Sequence, residues 1–576
     1  MGSWSLFQSP PADFPESLAS SQPAPPLARA RCAIVASLLV LCMIPRVLMA
    51  QKVDVLVPDG HFYIAVARHL EAGNFDAAFA DLHLNFYPAI LMVLHKAGME
   101  WESAGKFWGV LMSVLVVLPL FGWTRRQFDT QVATVASVLY AVHPRFIESS
   151  PETFRDQTFW FAVMLSLYWM WRAATEIRWR HFLLAGVALT LAVHVRMEGW
   201  LLLIPGALWT LGRWVSLERG RGRLAAGNLM ALAVIPIALV ALNLTWLRDY
   251  PQWELGRFNH LKMLQGRHPS DSALRNGPAE PDAPRKAAQA STSVSPRSRL
   301  VTVAHSGNAT WRLLGVTNTP NQKRLTMFFS KLMKAFDPVF GLLFLWGAWR
   351  WRGVFAHRSQ QAVFFMNLVL LASVWIYLSQ IKEINSRYFF ITALTAAPYA
   401  ALGLLAIGQA VVKRCPSVPW QPRLRVAVLL GLLLPIGIMG WSVALSGDLN
   451  GRRQYADLGK WILGNCGPNQ TIAGPICAHS TSYYARSPYV LVTGDIDGPS
   501  LYQLVAQSRP RIVIFRDASR SPEELAREVD LYSRTVELGY TRIVDDALPA
   551  SCRAMRIFQR QADRIVAEPP AAELRR

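Results

Sequence analysis

Long apolar stretches dominate this chain of 576 residues, and they alternate with short segments rich in arginine. Eleven of the stretches approach the roughly 17–25 residues that an α-helix needs to cross a bilayer. Continuous apolar runs of this length predict membrane-spanning helices. The predicted spans are 32–49, 107–123, 130–144, 153–171, 182–195, 199–214, 224–247, 336–351, 362–379, 388–412 and 426–445.

The first span is predicted to be a retained helix. Pro/Ser-rich residues 1–28, predicted to be disordered, precede it, and no small-residue cleavage site follows, so a signal peptide is not indicated.

Basic residues are concentrated in alternate connections between the spans, which by the positive-inside rule are cytoplasmic. The N-terminus is therefore predicted to be cytoplasmic and, with an odd number of spans, the C-terminal region extracytoplasmic, in the inner membrane of the cell. The basic residues of the cytoplasmic set are Arg29, Arg31, Arg125, Arg126, Arg172, Arg178, Arg180, Arg213, Arg219, Arg221, Arg223, Arg350, Arg352, Arg358, Lys413, Arg414, Arg423 and Arg425. The opposite short connections carry only Arg145, Arg155, Arg196, Lys382 and Arg387.

Composition narrows the class of protein further. The net charge of +21 could indicate a nucleic-acid partner, but 52% of the residues are hydrophobic and only 17% are charged. The 21 Trp and 27 Phe exclude a disordered protein, and six Cys are too few for a disulfide-built secreted module. A multi-pass membrane protein remains, and most of its positive charge follows from topology.

Three segments outside the spans are predicted to face outward. Loop 50–106 contains two amphipathic stretches, 62–70 and 87–95, that could lie along the membrane interface. Loop 248–334 has a Pro/Ser/Ala-rich centre, 268–299, that is predicted to be disordered. The tail 447–576 is predicted to be a small α/β domain with a flexible end. Its predicted strands are 471–476, 489–492, 511–515 and 554–558, and its helix-like stretches are 501–508 and 522–538.

Charged and aromatic residues cluster at the outer ends of the predicted spans. A single charge there is explained by anchoring at the interface, but several clusters on one face favour a site. On a continuous helix, Glu152 and Asp156 would share one face. The candidates are Asp59, His61 and Tyr63 after the first span, Tyr87 in the second loop motif, Glu152, Arg155 and Asp156 at the fourth span, Arg196 and Glu198 between the fifth and sixth, and Arg387 and Tyr388 at the tenth.

These motifs, in their order and sidedness, resemble those of the GT-C glycosyltransferases. Pro58-Asp59-Gly60-His61-Phe62-Tyr63 after the first span, Tyr87-Pro88 about 25 residues later, and Glu152…Asp156 opening a later helix carry the resemblance. The Arg196-Met197-Glu198-Gly199 and Ser386-Arg387-Tyr388 turns are similar to those of bacterial members. The protein O-mannosyltransferase and lipid A aminoarabinose transferase group is the most similar, and the resemblance covers residues 30–445.

The resemblance implies an all-α polytopic membrane domain, residues 29–446, that transfers a sugar from a polyprenyl-phosphate carrier to an acceptor hydroxyl on the non-cytoplasmic face with inversion. Asp59 would be the general base and Asp156 a second catalytic acid. Arg387, followed by Arg196 and Arg155, would bind the lipid phosphate, since a guanidinium suits a phosphate leaving group.

The remaining candidates, Tyr63, Tyr388, Glu152, Glu198, His61 and Tyr87, are expected to contact the donor. Some relatives have two neighbouring acids where this chain has Asp59 and Gly60, so His61, Tyr63, Glu152 or Asp156 would supply the missing contact. The sugar, which could be a hexose or a pentose, and the acceptor, a protein, lipid or glycan, stay open.

No metal or other cofactor is predicted, although a divalent metal is left open. His61, His83, His143 and His194 could lie near the outer face, but none forms a compact ligand pair on a helix. Two of the three tail cysteines, Cys466, Cys477 and Cys552, could form a disulfide, and spacing does not choose the pair.

Two other classes of function stay open. A transporter or flippase of lipid-linked sugars would also be polytopic, but it should place charges in the middle of its spans. A polymerase or ligase of surface polysaccharide would share the carrier lipid. An oligosaccharyltransferase is disfavoured, since its expected Trp-Trp-Asp motif is absent from the sequence. The tail could be a lid, a platform for the acceptor or a structural appendage.

Overall fold

The computed structural model of the protein describes most of the chain between residues 28 and 560. These residues form two compact units: a membrane unit, from 28–53 and the described residues of 63–446, and a C-terminal unit, from 55–62 and those of 453–560. The described residues are 28–53, 55–75, 78, 85–176, 178–216, 237, 321–350, 358–380, 384–414, 421–446, 453–474, 479–491, 510–515, 536, 540–543, 547–552 and 555–560.

The membrane unit is helical throughout. Its helices, numbered in chain order, are α1 (Ala28–Lys52), α2 (Pro58–Glu71, of which the residues after Phe62 belong to this unit), α3 (Phe86–Lys96), α4 (Trp101–Leu115), α5 (Val117–Gln127), α6 (Thr130–Val142), α7 (Pro144–Ser149), α8 (Asp156–Glu176), α9 (Trp179–Val195), α10 (Leu203–Ser216), α11 (Asn321–Phe336), α12 (Pro338–Arg350), α13 (Arg358–Gln380), α14 (Phe390–Arg414) and α15 (Gln421–Ser446). Short 3-10 helices, Met197–Leu202 and Ser386–Phe389, precede α10 and α14.

Within the described part of the chain, five helical stretches are long and apolar enough to cross a membrane. They match the first, second, ninth, tenth and eleventh predicted spans; α4 and α5 join through Val116, which is itself in a helical conformation. The third and fifth predicted spans are the shorter apolar helices α6 and α9. The five stretches are Arg29–Lys52, Trp101–Gln127, Gln360–Ser379, Ser386–Arg414 and Ala427–Ser446.

Other predicted spans differ from the structure at their ends. The fourth is α8, which begins at Asp156 rather than at 153, so Glu152 and Asp156 do not share a helix face. The eighth is α12, which begins at Pro338 rather than at 336, because Asp337, with a φ of 61°, separates it from α11. Apart from residue 237, the seventh span lies outside the described residues, as do the loop centre 268–299 and residues 1–27. The count of eleven spans stays a prediction.

Small residues allow the membrane helices to pack closely. A Cβ on Gly347 of α12 would collide with the carbonyl oxygen of Tyr399, and one on Gly403 of α14 would collide with that of Leu343. The two backbones therefore cross in direct contact, as small residues permit in membrane bundles.

A buried arginine joins α1 to the end of α6. Arg46 is fully buried, and its Nη1 donates to the carbonyl oxygens of Cys42 (3.0 Å) and Ala141 (2.8 Å), while Nη2 donates to that of Tyr140 (3.3 Å). The last carbonyls of α6 lack helical partners, so the cation satisfies them where the helix dipole is negative.

The C-terminal unit contains a five-stranded sheet in the order β2-β1-β3-β5-β4. The first three strands in this order are parallel, and β5 is antiparallel to both β3 and β4. Two helices, α16 (Arg453–Cys466) and α17 (His479–Tyr484), accompany the sheet, and Leu458 and Ile462 of α16 enter its core. The strands are β1 (Ile472–Gly474), β2 (Tyr489–Leu491), β3 (Ile512–Phe515), β4 (Tyr540–Arg542) and β5 (Arg556–Arg560).

The predicted fold class, a polytopic helical domain followed by a small α/β domain, is confirmed. Four predicted strands correspond to β1, β2, β3 and β5, whereas β4, α16 and α17 were not predicted. The amphipathic stretches of the first loop are the helices α2 and α3. The helix-like stretches 501–508 and 522–538 lie outside the described residues, apart from residue 536.

Candidate active site

Three helix ends of the membrane unit bring predicted site residues together. Asp156 is the first residue of α8, Arg196 directly follows α9, and Arg387 lies in the 3-10 turn before α14. Asp156 and Arg196 are buried, and Arg196 Nη1 forms an ion pair with Asp156 Oδ1. We call these three residues, with Glu198 and Tyr388, the charged cluster.

Arg196 also binds Glu198, two residues later. Its Nε donates to Glu198 Oε2 (3.2 Å) and its Nη2 donates to Oε1 (2.6 Å). Burial raises the pKa of Glu198, but the charge and hydrogen bonds of Arg196 outweigh burial and lower it to about 2. Two carboxylates therefore bind one guanidinium, and Arg196 is largely neutralised.

The Arg196-Met197-Glu198-Gly199 turn depends on its glycine. A Cβ on Gly199 would lie 2.6 Å from the backbone C of Ala192 and from the N of Val193. The turn after α9, which carries Arg196 and Glu198, therefore folds back directly onto the last turns of that helix.

Arg387 is the more accessible arginine of the charged cluster. Its side chain is 21% exposed, against 8% for Arg196, and its Nη1 lies 3.9 Å from Asp156 Oδ2. Its guanidinium carbon stands 4.5 Å from the ring centroid of Phe154. Asn385 caps the turn, since its Oδ1 accepts the backbone N–H of Arg387 (3.3 Å).

Tyr388 lies beside both guanidinium groups. Its ring centroid is 5.2 Å from the guanidinium carbon of Arg196 and 5.8 Å from that of Arg387. The ring of Tyr377, from the end of α13, is 5.4 Å from that of Tyr388. Tyr377 and Phe154 were not predicted as site residues; their only sequence signal is an aromatic residue at the outer end of a predicted span.

The segment Asn85-Phe86-Tyr87-Pro88 reaches the same region. Asn85 Nδ2 donates to the carbonyl oxygen of Val195 (3.1 Å), next to Arg196, and its Oδ1 accepts the Tyr87 N–H (2.9 Å). Tyr87 is fully buried, with its ring 5.1 Å from that of Tyr63.

Tyr87 carries a hydroxyl with no hydrogen-bond partner among the described residues. Burial raises the pKa of Tyr87 well above its usual value, and the nearby Tyr63 and Asp156 raise it further. The phenol is therefore a neutral donor close to Asp156. A buried hydroxyl of this kind is costly unless something binds it.

The other predicted site residues have different positions. Arg155 precedes α8 and acts electrostatically on Glu198, whereas Glu152 lies in the preceding turn. Asp59 and His61 lie in the first turn of α2, among the residues of the C-terminal unit, and Asp59 is half-buried.

Among the described residues, no three His, Cys, Asp or Glu side chains form a group that could hold a metal ion. Ring nitrogens of His143 and His194 are within hydrogen-bonding distance of backbone carbonyl oxygens, those of Phe336 (3.1 Å) and Thr190 (2.9 Å), and His83 lies outside the described residues. Cys466 and Cys552 are free thiols, and Cys477 is not among the residues that the structure describes.

Comparisons with known proteins bear on the fold and the family. The model of the dolichyl-phosphate-mannose-protein mannosyltransferase family matches residues 86–246, which include Tyr87, Asp156 and Arg196. No curated protein matches the chain.

Among solved structures, an oligosaccharyltransferase from Archaeoglobus fulgidus in the apo form is similar, with a TM-score of 0.50 and 13% identity over 88% of this chain and 73% of that one. The archaeal oligosaccharyltransferase AglB from the same organism, in complex with an inhibitory peptide and a dolichol-phosphate, gives a TM-score of 0.48 and 14% identity over 88% of this chain and 72% of that one. ArnT from Cupriavidus metallidurans gives 0.48 and 14% over 93% and 98%. The family match over residues 86–246 and the fold shared, at a TM-score of 0.50, with the apo oligosaccharyltransferase confirm the resemblance to the GT-C glycosyltransferases.

Proposed function

We propose that this GT-C-fold chain is an integral-membrane glycosyltransferase that moves a sugar from a polyprenyl-phosphate donor to an acceptor hydroxyl on the non-cytoplasmic face, with inversion. The charged cluster is the observation that carries this proposal, since it places two guanidinium groups at the ends of apolar helices. Planar guanidinium groups bind phosphate oxygens with paired, charge-assisted hydrogen bonds. The matching family model, which is named for a mannosyltransferase with a dolichyl-phosphate donor, supports the same chemistry.

Arg387 is proposed as the principal phosphate ligand. Arg196 already binds Asp156 and Glu198 and is only 8% exposed, whereas the side chain of Arg387 is 21% exposed and its Nη1 lies 3.9 Å from Asp156 Oδ2. In this scheme Asp156 acts through the two guanidinium groups, because it orients both of them. Arg155 would add positive potential at the same helix end.

The acceptor hydroxyl would attack the anomeric carbon as the bond between that carbon and the phosphate oxygen breaks. Asp59 would take the hydroxyl proton as general base, because an alcohol is a weak nucleophile at neutral pH. The polyprenyl phosphate leaves with the bonding electrons, and its developing charge is stabilised by Arg387. A single displacement of this kind inverts the anomeric centre.

Sugar contacts are proposed for residues around the cluster. The Tyr87 hydroxyl has no hydrogen-bond partner among the described residues and could donate to the sugar. The aromatic ring of Tyr63 lies beside that of Tyr87, and the ring of Tyr388 lies beside the Arg196 guanidinium. Glu152, Glu198 and His61 stay proposed donor contacts. The apolar helices would shelter the prenyl chain.

The test uses the purified full-length chain in lipid nanodiscs with radiolabelled polyprenyl-phosphate mannose, and polyprenyl-phosphate aminoarabinose as a second donor. Membranes of the cells that express the protein supply the acceptor. Asp59→Asn is expected to lower kcat by at least about 100-fold with little change in the donor KM. Arg387→Gln is expected to raise the donor KM by about 10-fold or more, since it removes a charge-assisted contact.

Arg145→Gln serves as the control, since Arg145 pairs with Glu148 at a more exposed position. It is expected to transfer normally. Normal transfer by a folded Asp59→Asn variant would remove Asp59 from the mechanism. If neither the wild-type protein nor any variant consumes either donor, while lipid-linked sugars cross the membrane of vesicles that contain the protein, the chain is a transporter.

A further inference from the structure

The residues around Asp59 belong to the C-terminal unit and are held there by its helix α17. Val55, Leu56 and Val57, which precede α2, are each less than 5% exposed although they lie in an irregular connection. Backbone groups of a buried connection need hydrogen-bond partners. For Leu56 both partners come from α17, more than 400 residues later in the chain.

Two hydrogen bonds hold the Leu56 peptide groups. The hydroxyl of Tyr484 accepts the Leu56 N–H (3.3 Å), and the Ser480 hydroxyl donates to the Leu56 carbonyl oxygen (3.4 Å). Ser480 and Tyr484 are four residues apart on α17 and therefore lie on one face of this short helix. That face binds the chain three residues before Asp59.

A second attachment follows two residues after Asp59. The ring of His61 stacks on that of Tyr483, with centroids 4.1 Å apart and planes inclined by 28°, and it meets the edge of Tyr484 at 5.7 Å. His61 is 1% exposed. The first turn of α2 between these attachments is closed by the Gly60 N–H, which donates to the Val57 carbonyl oxygen (2.9 Å).

The helix that makes both attachments is itself held firmly. Thr481 Oγ1 donates to the carbonyl oxygen of Tyr455 in α16 (3.0 Å). A Cβ on Gly459 would lie only 2.7 Å from Tyr484 Cβ, so α16 and α17 pack in direct contact. The attachment of the Asp59 segment is therefore continuous with the core of the C-terminal unit.

We propose that Tyr483 and Tyr484 are positioning residues for Asp59, so that the C-terminal unit takes part in catalysis by holding the general base. This inference rests on the proposed function. A misplacement of a catalytic group by about 1 Å can cost on the order of 100-fold in rate. The helix α17 would thus set the turnover number without touching the donor.

The first arm of the test measures how firmly the segment around Asp59 is held. In hydrogen–deuterium exchange of the full chain in nanodiscs, Tyr483→Ala should speed exchange at the amides of Gly60 and His61. Tyr483→Phe keeps the ring and should exchange as wild type does. Unchanged exchange in Tyr483→Ala would overturn the proposed attachment.

The second arm measures turnover with radiolabelled polyprenyl-phosphate mannose. Tyr483→Ala is expected to lower kcat by about 10- to 100-fold with an unchanged donor KM, and Tyr483→Phe should restore it. Tyr484→Phe, which loses the Leu56 bond, should lower kcat by a smaller factor. Tyr540→Phe is the matched control, because it also loses one hydroxyl bond in the same unit, to the carbonyl oxygen of Pro510.

The outcomes separate this inference from the function on which it rests. Faster exchange with a normal kcat in Tyr483→Ala would show that the attachment does not position the base. If Tyr540→Phe lowered kcat as much as Tyr484→Phe does, the loss would come from a general weakening of the C-terminal unit and not from the position of Asp59. Full activity of Asp59→Asn would remove Asp59 as the general base and with it this inference, whereas failure of the wild-type protein to consume any donor would refute the proposed function. In both cases the exchange arm would still report whether the attachment exists.

Discussion

The buried ion pair between Asp156 and Arg196 allows a quantitative test of the charged cluster. Asp156→Asn keeps the size of the side chain and removes its charge. The side chains of Asp156 and Arg196 are only 5% and 8% exposed, so water cannot replace the lost partner. Arg196 keeps its two hydrogen bonds to Glu198.

Removing one partner of a buried ion pair costs about 3–5 kcal/mol, because the other charge is left uncompensated. Since Glu198 still binds Arg196, we expect the lower end, about 3 kcal/mol. The matched control is Glu148→Gln, whose pair with Arg145 is 19% and 32% exposed and should contribute at most about 1 kcal/mol. The prediction is therefore that Asp156→Asn loses about three times as much free energy of unfolding as Glu148→Gln, or more.

The assay is thermal unfolding of the purified chain, followed by tryptophan fluorescence. A loss of about 3 kcal/mol corresponds to a fall in Tm of roughly 5 °C or more, and that of the control to about 2 °C at most. The donor KM should also rise in Asp156→Asn, because the guanidinium groups lose their common anchor. If Asp156→Asn unfolds at the wild-type temperature, or no lower than Glu148→Gln, the buried pair does not carry the stability assigned to it.

Three further predictions concern neighbouring residues. The folded-state pKa of Glu198, about 2, is below its ordinary value of 4.5, so its stabilising contribution is complete above pH 4.5 and is lost as the pH falls toward 2. Glu198→Gln should therefore flatten the dependence of Tm on pH in this window, and a dependence parallel to that of the wild-type protein would contradict the shift. Tyr87→Phe should leave Tm unchanged or raise it slightly, because the hydroxyl has no hydrogen-bond partner among the described residues. Its donor KM should rise about 2- to 10-fold, and an unchanged KM would remove Tyr87 from the donor site. Gly199→Ala should cost about 1–3 kcal/mol, since the new Cβ meets the backbone of Ala192 and Val193, and a wild-type Tm would show that the turn can relax.

The linear sequence determined the class of this protein. Apolar run length and the position of arginines along the chain are local properties, so they indicate a polytopic helical domain without any knowledge of tertiary contacts. The alternation of apolar runs in the tail likewise indicated the sheet. The predicted orientation of the helices in the membrane rests on the same charge pattern and stays a prediction.

The sequence predicted the interiors of the helices better than their ends. Glu152 and Asp156 appeared to share a helix face, but α8 begins at Asp156 because the preceding residues form a turn. The boundary depends on contacts such as the Gln157 side-chain bond to the Glu152 carbonyl oxygen, which periodicity does not reveal.

Tertiary structure alone decided which candidates meet. Asp156, Arg196 and Arg387 come from three helices separated by 40 and 191 positions in the chain, and the sequence could name them but not pair them. It also gave no reason to connect Asp59 with Tyr483 and Tyr484. Long-range pairing depends on how helices cross and on which backbone groups remain to be satisfied, and both are properties of the packed molecule rather than of any local segment.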